Sequence, residues 1–317
     1  MFDVVILTLE DSGCGSTCGG CSGGAACDTR PRTPVLHCQD ALTAAGARVE
    51  TVTAHDDAEI DAVLARFDAP ARPDGLTWPD PDTKARLVLA VADDPQLRHV
   101  VHRMVRRYAP APSKRPADLA TGRTVPDLPP IAVLPVDKAA TGDLAYRLGL
   151  PREPADVARA VLSQRVRRLD LLRHDGGAVT IDGALLGAAD GSGQALTWRA
   201  RVEVDDHILT DGTDAVLACA VAVADGYREV GGVALVAESD PGDGLVEVGI
   251  AVPVVVKKAF GRDRLRIEVR RARGRAVSVA PHPGNGSAVP LVEDGVVGEL
   301  SRKRSWWMER QAWAVYS

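Results

Sequence analysis

The sequence lacks the features that define several classes of protein. No apolar run approaches the roughly 18 residues that a membrane-spanning helix needs. Residues 1–9 carry Asp3 where an export signal needs basic residues, and they predict a buried first strand instead. The net charge of −5 is far from the basic excess of dedicated nucleic-acid binders. We therefore expect a cytoplasmic globular protein with no nucleic-acid partner. Nothing indicates an exporting compartment, so a disulfide framework is not expected.

The first half of the chain alternates strand and helix signals. The near-continuous apolar runs at 4–9 and 86–91 predict strands covered on both faces, and 48–53 alternates like a strand. Thr33-Pro34 predicts the start of one helix, and Asp57 predicts the cap of another. This order predicts an α/β domain with a parallel, Rossmann-like sheet.

From residue 170 onward, helical periodicity gives way to short alternating segments separated by turns. Residues 264–270 alternate cleanly, and Arg273-Gly274 predicts a hairpin turn before 276–279. Strands at such regular spacing predict an antiparallel β-sandwich. The predicted domains are therefore 1–169 and 170–300, followed by a tail, 301–317, that packs on the first domain.

Five of the six cysteines lie in a Gly/Ser-rich insertion at 12–38. The spacing of Cys14, Cys18 and Cys21 suits zinc or an iron–sulfur cluster, because thiolates bunched in this way are ligands for either. The alternative is a low-complexity loop whose thiols stay free.

Several segments share the pattern of one family of enzymes. They are Thr141-Gly-Asp-Leu-Ala-Tyr-Arg-Leu-Gly-Leu-Pro151, the strand around Asp170-Leu, Ala224-Asp-Gly-Tyr227 and Asp240-Pro-Gly-Asp-Gly-Leu-Val-Glu-Val248. In these segments the chain resembles the diacylglycerol kinase and sphingosine kinase family, which is related to the NAD kinases. The resemblance implies an α/β nucleotide-binding domain paired with a β-sandwich, and it implies ATP, Mg²⁺ and a lipid-like alcohol as ligands.

The resemblance also implies which residues handle phosphate. The cofactor-binding positions that match the family's segments are Ser12, Gly13, Asp94, Thr141, Gly142 and Asp143. Asp94 stands in the family's Gly-Gly-Asp-Gly-Thr segment, but all of the glycines are lost and Pro95 has no N–H to donate. The alternative role for Asp94 and for Asp143 is helix N-capping.

The catalytic acid implied by the resemblance lies near the end of the second domain. Asp294-Gly295 keeps part of the family's Asp-Gly-Glu, with Val296 in the place of the glutamate. Asp294 is the predicted catalytic residue, and Glu299 or Glu293 is the predicted substitute for the missing glutamate.

Two functions follow from these patterns. One is ATP-dependent phosphorylation of a lipid-like alcohol, weakened by the lost glycines. The other is a non-catalytic relative that binds nucleotide or lipid, with a metal- or redox-sensing cysteine loop. Trp306 and Trp307 beside three cations suggest peripheral membrane contact, and their alternative role is packing of the tail. The sequence predicts no oligomeric state.

Overall fold

Two units make up the chain, and we describe each by itself. The computed structural model describes residues 2–10, 33–137, 142–189, 195–237, 239–256, 264–286 and 288–317. The first unit comprises Met1–Tyr108, Leu128–Arg167 and Ala314–Ser317. The second comprises Ala109–Asp127 and Arg168–Trp313.

The first unit has the strand–helix alternation that the sequence predicts. Its elements are β1 (Asp3–Leu9), α1 (Thr33–Ala44), β2 (Arg48–Ala54), α2 (Asp57–Leu64), β3 (Ala85–Val91), α3 (Asp94–Tyr108), β4 (Ile131–Pro135), α4 (Leu144–Arg147) and α5 (Pro154–Ser163). The strands pair in parallel in the order β4-β3-β1-β2, and Val315 near the chain's end pairs in parallel with Ile131 of β4. The predicted parallel α/β domain is confirmed.

Apolar strands of this sheet form a core with two of the helices. Ile6 and Val88 of the sheet are buried in one cluster with Leu42 of α1 and Val161 of α5. Helix α2 begins one residue earlier than a cap at Asp57 would require. Asp56 is the N-cap, and its carboxylate accepts a hydrogen bond from the N–H of Glu59 at 2.9 Å.

The second unit is built mainly from strands. They are β5 (Val166–His174, which begins in the first unit), β6 (Val179–Thr180), β7 (Gly183–Leu186), β8 (Ala188–Ala189), β9 (Ala195–Leu196), β10 (Ala200–Val204), β11 (His207–Asp211), β12 (Ala218–Ala222), β13 (Glu229–Val230), β14 (Val233–Ala234), β15 (Val246–Val256), β16 (Arg264–Gly274), β17 (Ala276–Pro281), β18 (Val289–Glu293), β19 (Val296–Leu300) and β20 (Arg304–Tyr316, which ends in the first unit).

These strands form two principal antiparallel layers. One has the order β16-β15-β12-β7-β18-β19, and the other pairs β11-β10-β17-β20. Buried side chains from both layers, among them Val221, Val248, Val202, Val277 and Trp306, share one core cluster. Two sheets whose inner faces share a core define a sandwich, so the predicted second domain is confirmed.

One predicted hairpin is wrong. Gly274 ends β16 and Ala276 begins β17, but β16 pairs with β15, whereas β17 pairs with β10 and β20. The turn therefore carries the chain from one layer to the other. Turn residues fix a change of direction, and sheet membership depends on partners that are distant in sequence.

No helix in the described ranges is both long and apolar enough to cross a membrane.

Candidate functional site

Asp94 is the first residue of α3, directly after the carboxyl end of β3. It does not cap its own helix. The carboxylate of Asp93 accepts from the N–H of Gln96 at 2.9 Å, which is the N-capping contact for α3. The Asp94 carboxylate is thereby free to reach the loop after β4.

The Asp94 carboxylate binds the start of helix α4. Its two oxygens accept from the N–H of Leu144 at 2.9 and 3.1 Å, and Nη2 of Arg147 lies 3.1 Å from Oδ2. Burial raises the pKa of Asp94, while the Leu144 N–H and the Arg147 charge oppose that rise. Asp94 therefore joins two segments that are 50 residues apart in the chain.

Asp143 is the N-cap of the same helix. Its carboxylate accepts from the N–H of Tyr146 at 2.8 Å and also pairs with Nη1 of Arg152. Gly142, just before it, has a φ of 102°, a left-handed conformation that glycine adopts without strain. Asp94, Gly142 and Asp143 thus come together beyond the carboxyl ends of adjacent parallel strands. Ligands of open α/β sheets bind at that edge.

The charges at this edge compensate one another. Asp94 pairs with Arg147, and Asp143 pairs with Arg152. The cluster of Asp94, Asp143, Arg147 and Arg152 therefore has no surplus positive charge to offer a phosphate. A divalent cation would find two carboxylates there, each already held by a guanidinium.

The other predicted cofactor and metal residues lie outside the described part of the chain. They are Ser12, Gly13, Cys14, Cys18, Cys21 and Thr141. Within the described ranges, no group of three or more His, Cys, Asp or Glu side chains is placed to hold a metal. Of the remaining cysteines, Cys38 and Cys219 are buried and free, and burial raises the pKa of each thiol to about 12.

Asp294, the predicted catalytic residue, lies in the turn between β18 and β19. Its buried carboxylate accepts from the backbone N–H groups of Ile181, Asp182 and Gly183, at 2.9, 2.9 and 3.0 Å. These bonds fasten the turn to the segment before β7. Glu299 lies on β19 and is exposed. The catalytic roles of both residues stay predictions.

A buried polar cluster beside this turn surrounds Glu293, the other predicted substitute for the missing glutamate. Oε1 of Glu293 accepts from the Thr180 hydroxyl at 2.6 Å and from the Trp306 indole N–H at 2.9 Å. His174 and Arg304 lie 3.8 and 3.7 Å from the other oxygen. Trp306 is fully buried, so it is not a membrane anchor, and the half-buried Trp307 donates to Glu309 at 3.0 Å.

Two of the motifs that carry the resemblance meet at Asp170. Its carboxylate accepts from the N–H of Gly244 and from that of Gln311, each at 2.6 Å, and its own N–H donates to the carbonyl of Pro241 at 2.6 Å. Burial raises the pKa of Asp170, and the two N–H groups oppose that rise. The Asp-Pro-Gly-Asp-Gly turn is therefore held by the strand before it.

A third motif holds the turn that carries Asp294. The N–H of Gly226 donates to the Asp182 carboxylate at 3.0 Å, and the hydroxyl of Tyr227 accepts from the N–H of Gly295 at 2.8 Å. A Cβ on Gly226 would lie 1.9 Å from that carboxylate, so any larger residue would displace it. In the second unit the motif residues thus stabilise the fold.

Together, a parallel α/β unit and a separate antiparallel β unit define the two-domain fold of diacylglycerol-kinase-like proteins. Three solved structures from Bacillus anthracis strain Sterne share it, one described as a diacylglycerol kinase and two as proposed ones. Their TM-scores are 0.58, 0.61 and 0.57, at 10%, 12% and 11% identity. Each match covers 99% of this chain, and 96%, 97% and 97% of the other.

Comparison of the sequence with known families and proteins does not assign the chain to a family. No protein-family model matches the chain, and no curated protein matches it.

Proposed function

We propose that this chain is an ATP- and Mg²⁺-dependent kinase of a lipid-like alcohol, with activity lowered by the loss of the glycines around Asp94. The observation that carries the proposal is the convergence of Asp94 and Asp143 beyond the ends of β3 and β4. Both residues match phosphate-handling segments of the lipid kinases. The fold supports the same proposal, and ATP is abundant in the cytoplasm, where we place the protein.

The described residues fit the nucleotide in part. Arg147 and Arg152 are the cations that pair with carboxylates of the predicted site, and Asp94 and Asp143 are the proposed oxygen donors for Mg²⁺. Bound Mg²⁺ would neutralise charge on the transferring phosphoryl group. The arginines now pair with those same carboxylates, so nucleotide and metal have to exchange partners within the cluster when they bind. Weak binding is the expected consequence.

A non-catalytic relative that binds nucleotide or lipid is the second candidate. The arrangement of Asp294 favours it, because a carboxylate that accepts three backbone hydrogen bonds is held away from proton transfer. Asp94 offers the same argument, since it too is engaged as a backbone acceptor.

Lipid-dependent ATP consumption separates the two candidates. The kinase consumes ATP when diacylglycerol in detergent micelles is supplied, and Asp94→Ala lowers the rate by about tenfold or more. Asp156→Ala, which breaks a surface ion pair with Arg159 on α5, is the matched control and keeps the wild-type rate. If neither wild type nor Asp94→Ala consumes ATP, and ATP still raises the melting temperature, the non-catalytic candidate is established instead.

The cysteine insertion is tested separately. We propose zinc or an iron–sulfur cluster at Cys14, Cys18 and Cys21 because of their spacing. Metal analysis and a visible spectrum of anaerobically purified protein measure it directly. A colourless, metal-free sample contradicts the proposal.

A further inference from the structure

The outer end of the β15–β16 hairpin is an apolar surface that the described chain leaves uncovered. Strand β12 pairs with β15 only as far as Ala251. Beyond that point, the only described strand residues that pair with 252–256 are 264–268 of β16, which forms the edge of the described sheet. An isolated two-stranded ribbon is marginally stable in water. We call this segment the outer ribbon.

The two faces of the outer ribbon differ in chemistry. Pro253 lies opposite Ile267, and Val255 lies opposite Leu265, so these four side chains share one face. Val255, Leu265 and Ile267 are 57%, 70% and 40% exposed. Further in, Ala251 and Val269 on the same face are covered by the cluster around Leu235. The apolar face thus extends beyond the cluster around Leu235, and its outer side chains are exposed.

The opposite face of the outer ribbon carries two arginines of β16 beside Val254 and Val256 of β15. Arg264 and Arg266 alternate with the apolar side chains along β16 and are exposed. Neither pairs with a carboxylate among the residues that the structure describes, whereas Glu268 is held by Arg270 at 2.8 Å. A ribbon that exposes apolar side chains and two arginines matches an anionic bilayer. Its apolar side chains would enter the acyl boundary, and its arginines would reach the headgroups.

We propose that the outer ribbon docks on a lipid bilayer that carries anionic headgroups. A second copy of this chain is a poorer occupant. Antiparallel pairing of two β16 edges would bring the arginines of this strand close to one another, and like charges across a strand pair are destabilising. Charged side chains on an edge strand also oppose edge-to-edge association.

Cosedimentation of the full chain with vesicles tests the proposal. The vesicles contain phosphatidylcholine with or without phosphatidylglycerol, and neither nucleotide nor diacylglycerol is present, so the result is independent of kinase activity. We expect binding to the anionic vesicles that falls with added salt. Leu265→Ser and Val255→Ser each weaken it on the order of tenfold. Arg264→Gln and Arg266→Gln each weaken it by about fivefold.

Val297→Ser is the matched control. Val297 is 80% exposed on β19, at the opposite edge of the same sheet, so this variant removes a similar exposed side chain and keeps wild-type binding. Circular dichroism checks that every variant is folded. The proposal is overturned if wild type stays in the supernatant, or if Leu265→Ser binds as tightly as Val297→Ser. Concentration-dependent dimers that Leu265→Ser abolishes would overturn it in favour of a second copy.

Discussion

Asp294→Asn should unfold the second unit at a lower temperature, because Asp294 is held as a structural acceptor. Oδ1 accepts from Asp182 and Gly183, and Oδ2 accepts from Ile181. An asparagine side chain has one carbonyl oxygen, so its NH₂ group replaces one of these oxygens and faces a backbone N–H. One buried donor then loses its partner, at about 1–3 kcal/mol, and the remaining bonds lose their charge assistance.

Those terms sum to a loss of about 2–4 kcal/mol in the free energy of unfolding. For a domain of about 150–250 residues this corresponds to a fall of roughly 5–15 °C in melting temperature. The backbone does not contribute, because Asp294 has a φ of 46° and asparagine tolerates the left-handed region well.

Thermal melting near neutral pH measures the effect, with Glu299→Gln as the matched control. Glu299 is exposed on the adjoining strand and is the other predicted catalytic residue, so its variant should melt with wild type. If Asp294→Asn also melts with wild type, the structural role is refuted. If it melts with wild type but loses ATP consumption, Asp294 is catalytic.

Three further predictions use the same melting assay or a labelling assay. Gly226→Ala should lower the melting temperature, because its Cβ would overlap the Asp182 carboxylate; a variant that melts with wild type contradicts that contact. Asp94 has a raised pKa in the folded state, so its ionisation costs stability as pH rises through that value. The melting temperature of Asp94→Asn should therefore rise relative to that of wild type as the pH is raised from acidic to alkaline. A difference in melting temperature that stays constant with pH contradicts this. Cys38 and Cys219, each with a pKa of about 12, should resist iodoacetamide at pH about 8 until the protein unfolds. Mass spectrometry of native, labelled protein checks both sites.

The sequence predicts the elements of both units because their signals are local. Apolar runs identify β1 and β3, and period-2 alternation identifies β16. What local pattern does not contain is the identity of distant partners. The Arg273-Gly274 turn reads as a hairpin until the pairing of β17 with β10 is known. Asp94 reads as the cap of α3 until Leu144 is placed beside it.

The motif residues of the second unit make contacts that stabilise the fold. Asp170 and the Asp-Pro-Gly-Asp-Gly turn are joined by hydrogen bonds. Gly226 donates its N–H to the Asp182 carboxylate and leaves no room there for a Cβ. Loss of either contact would leave a buried polar group without its partner, whether or not the protein turns over a substrate. The vesicle and ATP-consumption experiments test different parts of the chain, because the outer ribbon lies in the second unit whereas Asp94 and Asp143 lie in the first.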